Sequence, residues 1–166
     1  MSDLTYSPVG GTRTSERPPG FRHLFFRMPL GTGASRYAQA GAHILSFRMH
    51  RATGAKIVAS AATAAPGVQL TVGLGPLRAP CEIVWAEKSE KRTGWGYGTR
   101  PGHPASGEEA FFVEHDERDR VWFTVVAYSR PASLLMRLGG PFAVGFQHLY
   151  ARLCGRALKR LCTVNS

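Results

Sequence analysis

Tyr97, Thr99, His103, Glu108 and Glu109 lie within a span of thirteen residues, inside a stretch from Gly94 to His115 that is rich in glycine and proline. These are the side chains that simple proton transfer needs. A carboxylate lifted towards neutrality by burial, opposite a histidine or a tyrosine, donates and accepts protons without a cofactor. That chemistry suits cyclisation, dehydration or isomerisation. Pro101 and Pro104 stiffen the turn between two strand-like runs while Gly98, Gly102 and Gly107 open it, so polar groups can be held at the end of a sheet. Glu109 is then the general acid/base, Tyr97 orients a substrate oxygen, and His103 is a second proton-transfer group near the mouth. Each has a plainer alternative: Glu109 pairs with Arg130 or caps the turn, Tyr97 is a core residue with its hydroxyl satisfied, His103 braces its loop. Glu108 falls on the opposite strand face and is expected to be solvated or salt-bridged. His50 is expected to satisfy a helix end.

The elements around this stretch decide what the residues can face. Residues 1–20 are rich in Ser, Thr, Gly and Pro, and only Leu4-Thr5-Tyr6 reads as strand, so they form an arm or an edge strand. Residues 21–166 read as a single barrel-like or helix-grip domain. Phe21 to Leu30 suits a strand, and Ser35 then caps a helix running to about Arg51, with Gly54 as its stop. From Ala55 to Arg130 the pattern is that of strands: Lys56–Ala59, Val68–Leu74, Cys81–Lys88, Thr93–Thr99, Glu109–His115 and Val121–Arg130. Short connections between them make neighbours antiparallel. After Pro131 comes Ala132–Leu138, then a long helix from Pro141 to about Cys162. Its apolar face is expected to carry Phe142, Phe146, Leu149, Leu153 and Ala157, widened by Tyr150, Leu158 and Leu161, with Arg152, Arg156, Lys159 and Arg160 mostly away from it.

The fold class is therefore α+β: a strongly curved antiparallel sheet or β-barrel of about seven to ten strands, with one short and one long C-terminal helix. A curled sheet closed by a helix leaves a ligand-sized hollow. Alternation gives Trp95, Tyr97 and Thr99 one shared face of their strand, and Glu109, Phe111, Val113 and His115 one shared face of theirs; Trp122, Thr124, Val126, Tyr128 and Arg130 oppose Val121, Phe123, Val125, Ala127 and Ser129. Both faces are apolar, so the pattern alone leaves the inner face open. We take Tyr97 and Glu109 as inward, because an aromatic face with isolated polar groups suits a cavity. Trp95, Thr99, Phe111, Trp122 and Arg130 are the substrate-binding candidates.

Composition narrows the class further. A chain of 166 residues is large enough to bury a core without disulfides or metals. Cys81, Cys154 and Cys162 are odd in number and lack CxxC or Cys/His spacing, which points to a reducing compartment, and to a cytoplasmic protein. The histidines and glutamates lack HxH or HExxH spacing, so no metal is expected, and the glycine pairs lack the setting of a dinucleotide or phosphate loop, so no cofactor is. No apolar run approaches the roughly 20 residues of a membrane span. The formal charge of +10 invites a nucleic-acid reading, but the basic residues are dispersed and fit no recognition motif. Attraction to an anionic ligand is another use of such charge.

The run Gly96-Tyr97-Gly98-Thr99-Arg100-Pro101-Gly102-His103-Pro104, with Gly107-Glu108-Glu109-Ala110-Phe111 and Ala127-Tyr128-Ser129-Arg130-Pro131, resembles an uncharacterised bacterial and plant family known only as a domain of unknown function. Tyr6 to Thr12, Leu30 to Gly33 and Phe47 to His50 agree as well. Phe47 stands where the family commonly has Trp. Arg100 stands where it usually has a small or aliphatic residue, which leaves open a retuned pocket mouth. The resemblance covers nearly the whole chain and implies no reaction, so it marks where the site lies rather than what it does. The expected function is a small cofactor-free acid/base enzyme that closes or rearranges an apolar, oxygenated, polyketide-like ligand, for example by acetal or spiroacetal formation. The alternative is a non-catalytic lipid or small-metabolite carrier.

Overall fold

A computed structural model describes residues 2–133 and 137–164. Seven antiparallel strands form one sheet: β1 (Arg22–Thr32), β2 (Lys56–Ala59), β3 (Gln69–Leu74), β4 (Leu77–Lys88), β5 (Arg92–Thr99), β6 (Ala105–His115) and β7 (Arg120–Pro131). Their order across the sheet is β1-β7-β6-β5-β4-β3-β2. β1 and β2 stay at opposite edges, so the sheet is curved but is not a closed barrel. Two register irregularities, at Pro29/Gly31 in β1 and Ile83/Trp85 in β4, bend the strands they interrupt. The β5–β6 turn is shorter than the composition suggests, because Ala105 to Glu108 join strand β6.

The helix expected from Ser35 to Arg51 is split. Helix α1 (Ala34–Leu45) and helix α2 (Arg48–Ala52) meet at Phe47, which adopts the left-handed φ of 63°. Helical spacing cannot announce that break, because the apolar rhythm continues through it. Phe47 is fully buried against Trp95, so tertiary contact holds the conformation.

The C-terminal helix α3 (Gly140–Val164) crosses the concave side of the sheet. Its buried face is Tyr150, Ala151, Cys154, Ala157, Leu158 and Cys162, whereas Phe142, Leu149 and Leu153 are exposed. The apolar face is thus rotated from the one expected. Small residues explain the rotation: Ala151 and Gly155 let the helix approach the sheet closely, and a Cβ on Gly155 would run into Met28. The first turns of α3 overhang a hollow instead of a core. Ala132 and Ser133 form no helix, and residues 134–136 of the Ala132–Leu138 segment lie outside the described residues.

Residues 4 to 16 run across the outer face of the sheet. Only Thr5 makes a strand-like contact there, donating its N–H to the Thr99 carbonyl at 3.1 Å. A single turn of 3-10 helix (Gly11–Arg13) follows. Gly96 and Gly98 make this docking possible, since a Cβ would collide with Trp85 at the first position and with Tyr6 at the second. The arm also explains why β5 to β7 are apolar on both faces, because the sheet is covered on both sides.

Candidate functional site

The concave face of the sheet and the overhanging start of α3 enclose a cavity of about 220 Å³. Val72, Leu74, Ala79, Ala127 and Phe146 give it apolar walls, with Tyr97 and Glu109 inside. Tyr97 on β5 and Glu109 on β6 are directly paired across the strands, which turns both side chains to the same face. The Tyr97 hydroxyl donates to Glu109 Oε1 at 2.8 Å. Burial raises the Glu109 carboxyl from an ordinary carboxylate value to about 7, and the Tyr97 hydrogen bond only partly opposes this. Burial, then the negative charge of Glu109, pushes the Tyr97 phenol well above its ordinary value. Tyr97 therefore stays a proton donor while Glu109 changes charge near neutrality. Glu109 does not pair with Arg130, whose guanidinium lies over the Phe21 ring.

The other expected residues divide. Thr99 reaches the cavity wall, but its hydroxyl is engaged by Thr5 Oγ1 at 2.6 Å and by the Gly107 N–H at 3.0 Å. His103 also reaches the wall, and its Nδ1 accepts the Ala105 N–H at 2.9 Å. Burial lowers its pKa to about 4, so at neutral pH it is an uncharged ring that braces the turn and carries its proton on Nε2. Trp95 and Phe111 lie beneath Tyr97 as fully buried floor. The Trp95 indole N–H is used by the Ile44 carbonyl at 2.9 Å.

Trp122 is a correction. It lies on the outer face, donating to Asp116 Oδ2 at 3.1 Å and stacked under Arg27. Both faces of β7 are apolar because the arm and its neighbours cover the outer one, so the alternation gave no sign of this. Arg130 shares that outer face, yet stands at the strand end where the cavity opens and contributes to its wall. Arg100 is not part of the wall; its Nη1 donates to Gln69 Oε1 at 3.3 Å.

Glu108 is the second correction. It is neither solvated nor salt-bridged but 2% exposed. The Tyr6 hydroxyl donates to Oε2 at 2.6 Å, the Gly10 N–H at 2.7 Å, and the Thr12 N–H to Oε1 at 3.0 Å. The Thr12 hydroxyl also donates to Oε1 and in turn accepts the Trp85 indole N–H. Tyr128 places its hydroxyl 3.1 Å from Oε2 and 2.6 Å from the Pro8 carbonyl. Glu108 is the anchor of the arm.

His50 departs from expectation too. Neither ring nitrogen has a hydrogen-bond partner among the described residues; the ring sits among Trp95, Phe111 and Tyr150, and burial lowers its pKa to about 3.

Sequence reasoning missed Tyr150 and Gln147 as site residues. Tyr150 joins the wall from α3, and Gln147 donates to Ser129 Oγ at 3.0 Å, tying the helix to β7 beside the cavity. The available signal was the polar tip of each residue within an otherwise apolar helix face. Among the described residues no cluster of His, Cys, Asp and Glu is placed to hold a metal, and no helix is long and apolar enough to cross a membrane.

The profile of a family described as a domain of unknown function, DUF1990, matches residues 5–157. The chain belongs to that family. A UPF0548 protein of Arabidopsis thaliana is 34% identical over 85 residues, covering 48% of this chain and 42% of the relative. A UPF0548 protein of Deinococcus radiodurans is 37% identical over 78 residues, covering 47% and 39%. The matched stretch thus spans about two fifths of either relative. Among solved structures, a hypothetical protein of Helicobacter pylori superimposes with a TM-score of 0.64 at 10% identity, covering 96% of each chain. Norcoclaurine synthase of Thalictrum flavum, a point mutant solved with a transition-state analogue, gives a TM-score of 0.61 at 10% identity, covering 90% of this chain and 99% of that one. The DUF1990 chain therefore has a helix-grip fold, a curved antiparallel sheet with a long C-terminal helix, shared with these two structures.

Proposed function

We propose that this DUF1990 chain is a cofactor-free acid/base enzyme, a cyclase acting on an apolar, oxygenated, polyketide-like ligand within the cavity. The observation that carries this reading is the 2.8 Å Tyr97–Glu109 hydrogen bond inside an apolar hollow, with the carboxyl raised to about 7. A group of that pKa supplies comparable amounts of acid and base at neutral pH, which is where general catalysis is most effective. In spiroacetal closure of a dihydroxyketone, protonated Glu109 gives its proton to the departing hydroxyl of the hemiacetal, and water leaves. The carboxylate then takes the proton of the second, attacking hydroxyl, so the site returns to its starting state and one water is lost overall. Tyr97 donates to the ligand oxygen or to Glu109 as the charge moves. The apolar walls exclude water that would reverse the dehydration.

A matched-variant experiment tests the reading. A dihydroxyketone is incubated with the wild-type chain and with Glu109→Gln, and ring closure is followed by NMR with product enantiomers resolved. Accelerated, stereoselective closure by the wild type alone is the expected result. Equal rates with both proteins, together with undiminished ligand binding by the variant, would favour the carrier function instead.

A further inference from the structure

Helix α3 leaves an apolar face uncovered. Phe142 is 86% exposed, Leu149 53%, Phe146 45% and Leu153 38%, and Leu138, just before the helix, is 80% exposed. The four helical positions recur every three or four residues, so they form one stripe along the outer side of α3. Single exposed leucines are ordinary, whereas a continuous stripe of large apolar side chains marks a contact surface. At the same spacing the stripe runs on into Arg156 and Arg160, with Arg152 and Lys159 beside it, all exposed. Residues 140–164 contain no Asp or Glu, and no ion pair among the described residues uses these four cations. That charge pattern chooses the occupant. A second copy of this chain would bring a second set of the same cations, with no carboxylate on α3 to meet them. An anionic lipid surface meets both halves of the face at once, its phosphates taking the cations and its acyl boundary the apolar side chains. The net charge of +10, which acid/base chemistry does not use, acts in the same direction. No helix among the described residues is long and apolar enough to cross a bilayer, so α3 would lie in the interface.

We propose that the outer face of α3 docks on an anionic lipid surface, with Phe142, Phe146, Leu149 and Leu153 at the acyl boundary and the four cations on the headgroups. Phe146 belongs to the cavity wall as well as to the stripe, so the docking face and the hollow meet at the same turns of helix. An apolar ligand concentrates in lipid, and this placement holds the hollow beside its store. That consequence rests on the cavity being the ligand site. The docking itself does not, and neither depends on whether Glu109 is catalytic.

The test is co-sedimentation of the chain with vesicles of phosphatidylcholine alone and with vesicles of equal parts phosphatidylcholine and phosphatidylglycerol. Partitioning to the anionic vesicles should be stronger by about tenfold or more, the size that a few cations near such a surface supply. Two charge reversals separate docking from diffuse attraction. Arg156→Glu with Arg160→Glu should remove most of the binding, whereas Arg17→Glu with Arg118→Glu, an equal change of net charge at exposed positions outside α3, should remove much less. Phe142→Ser with Leu149→Ser keeps every charge and should weaken binding about tenfold. No binding, equal binding to both vesicles, equal losses from the two reversals, or full binding by the serine variant would each overturn the proposal. So would a dimer in analytical ultracentrifugation that the serine variant dissolves, since the face would then belong to a second copy. Circular dichroism checks each fold; if the serine pair does not fold, Phe142→Ser alone decides, weakened binding supporting the proposal and full binding refuting it. Glu109→Gln should bind vesicles as the wild type does, so loss of turnover in that variant and loss of docking in the α3 variants report separately on enzyme and surface.

Discussion

Glu108 and Glu109 are consecutive on β6, yet they face opposite sides of the sheet and meet different surroundings. Glu108 faces the arm, where Tyr6, Gly10 and Thr12 donate to it from a single stretch of chain. Glu109 faces the cavity, with the Tyr97 hydroxyl as its hydrogen-bond partner among the described residues. The same functional group is a structural anchor where donors saturate it, and where they do not its pKa is raised by burial to about 7. The contrast arises from strand alternation alone, which sends neighbours to opposite faces.

Removing the anchor should have the largest effect. Glu108→Ala orphans several buried donors at once and should cost about 3 kcal/mol or more of stability, since broken buried networks leave unsatisfied groups behind. Urea denaturation measures the loss, and hydrogen exchange should show the amides of Gly10 and Thr12 released. An unchanged midpoint with a protected arm would erase the contrast between the two carboxylates.

Glu109→Gln should instead lower turnover by about 10² to 10⁴, the usual span for a positioned acid/base group. Its effect on stability has the opposite sign. Folded Glu109 holds its proton up to about pH 7, whereas the unfolded side chain loses it near 4.5. The folded state therefore binds the extra proton in that window, and the stability this represents is complete below pH 4.5 and lost as pH rises through 7. At pH 8 the variant should exceed the wild type by up to about 3 kcal/mol, and its thermal midpoint should vary less between pH 4.5 and 7. Calorimetry across that range checks the sign; a variant less stable at pH 8 would contradict it.

The smallest change is the most specific. Tyr97→Phe removes the hydrogen bond that partly offsets burial, so the Glu109 pKa should rise further, by about one unit. Carbon-13 NMR of the labelled carboxyl reads this directly. A downward shift would mean that Tyr97 does not stabilise the ionised form.

Much of this arrangement was legible in the sequence, and for identifiable reasons. The Pro/Gly turn and the runs flanking it announced β5 and β6, and strand spacing put Tyr97 and Glu109 where they could meet. Glu108 was not legible as an anchor because its donors come from residues about 100 positions earlier, a separation that no local pattern carries. Trp122 was misplaced because a sheet covered on both sides is apolar on both, and periodicity then loses its power to choose a face. The rotation of α3 depended on the small residues Ala151 and Gly155, whose effect is seen only once the partner surface is known.

The doubled glutamate also bears on how β6 finds its place. Sliding the strand by one residue in one direction would move Glu109 into the arm's binding site and leave Ala110 in the cavity. Sliding it the other way would keep a carboxylate in the cavity but offer Gly107 to the arm. Only one frame supplies acid to both destinations, so the two sites together act as an error check on the alignment of the strand. Neither glutamate could provide that check alone.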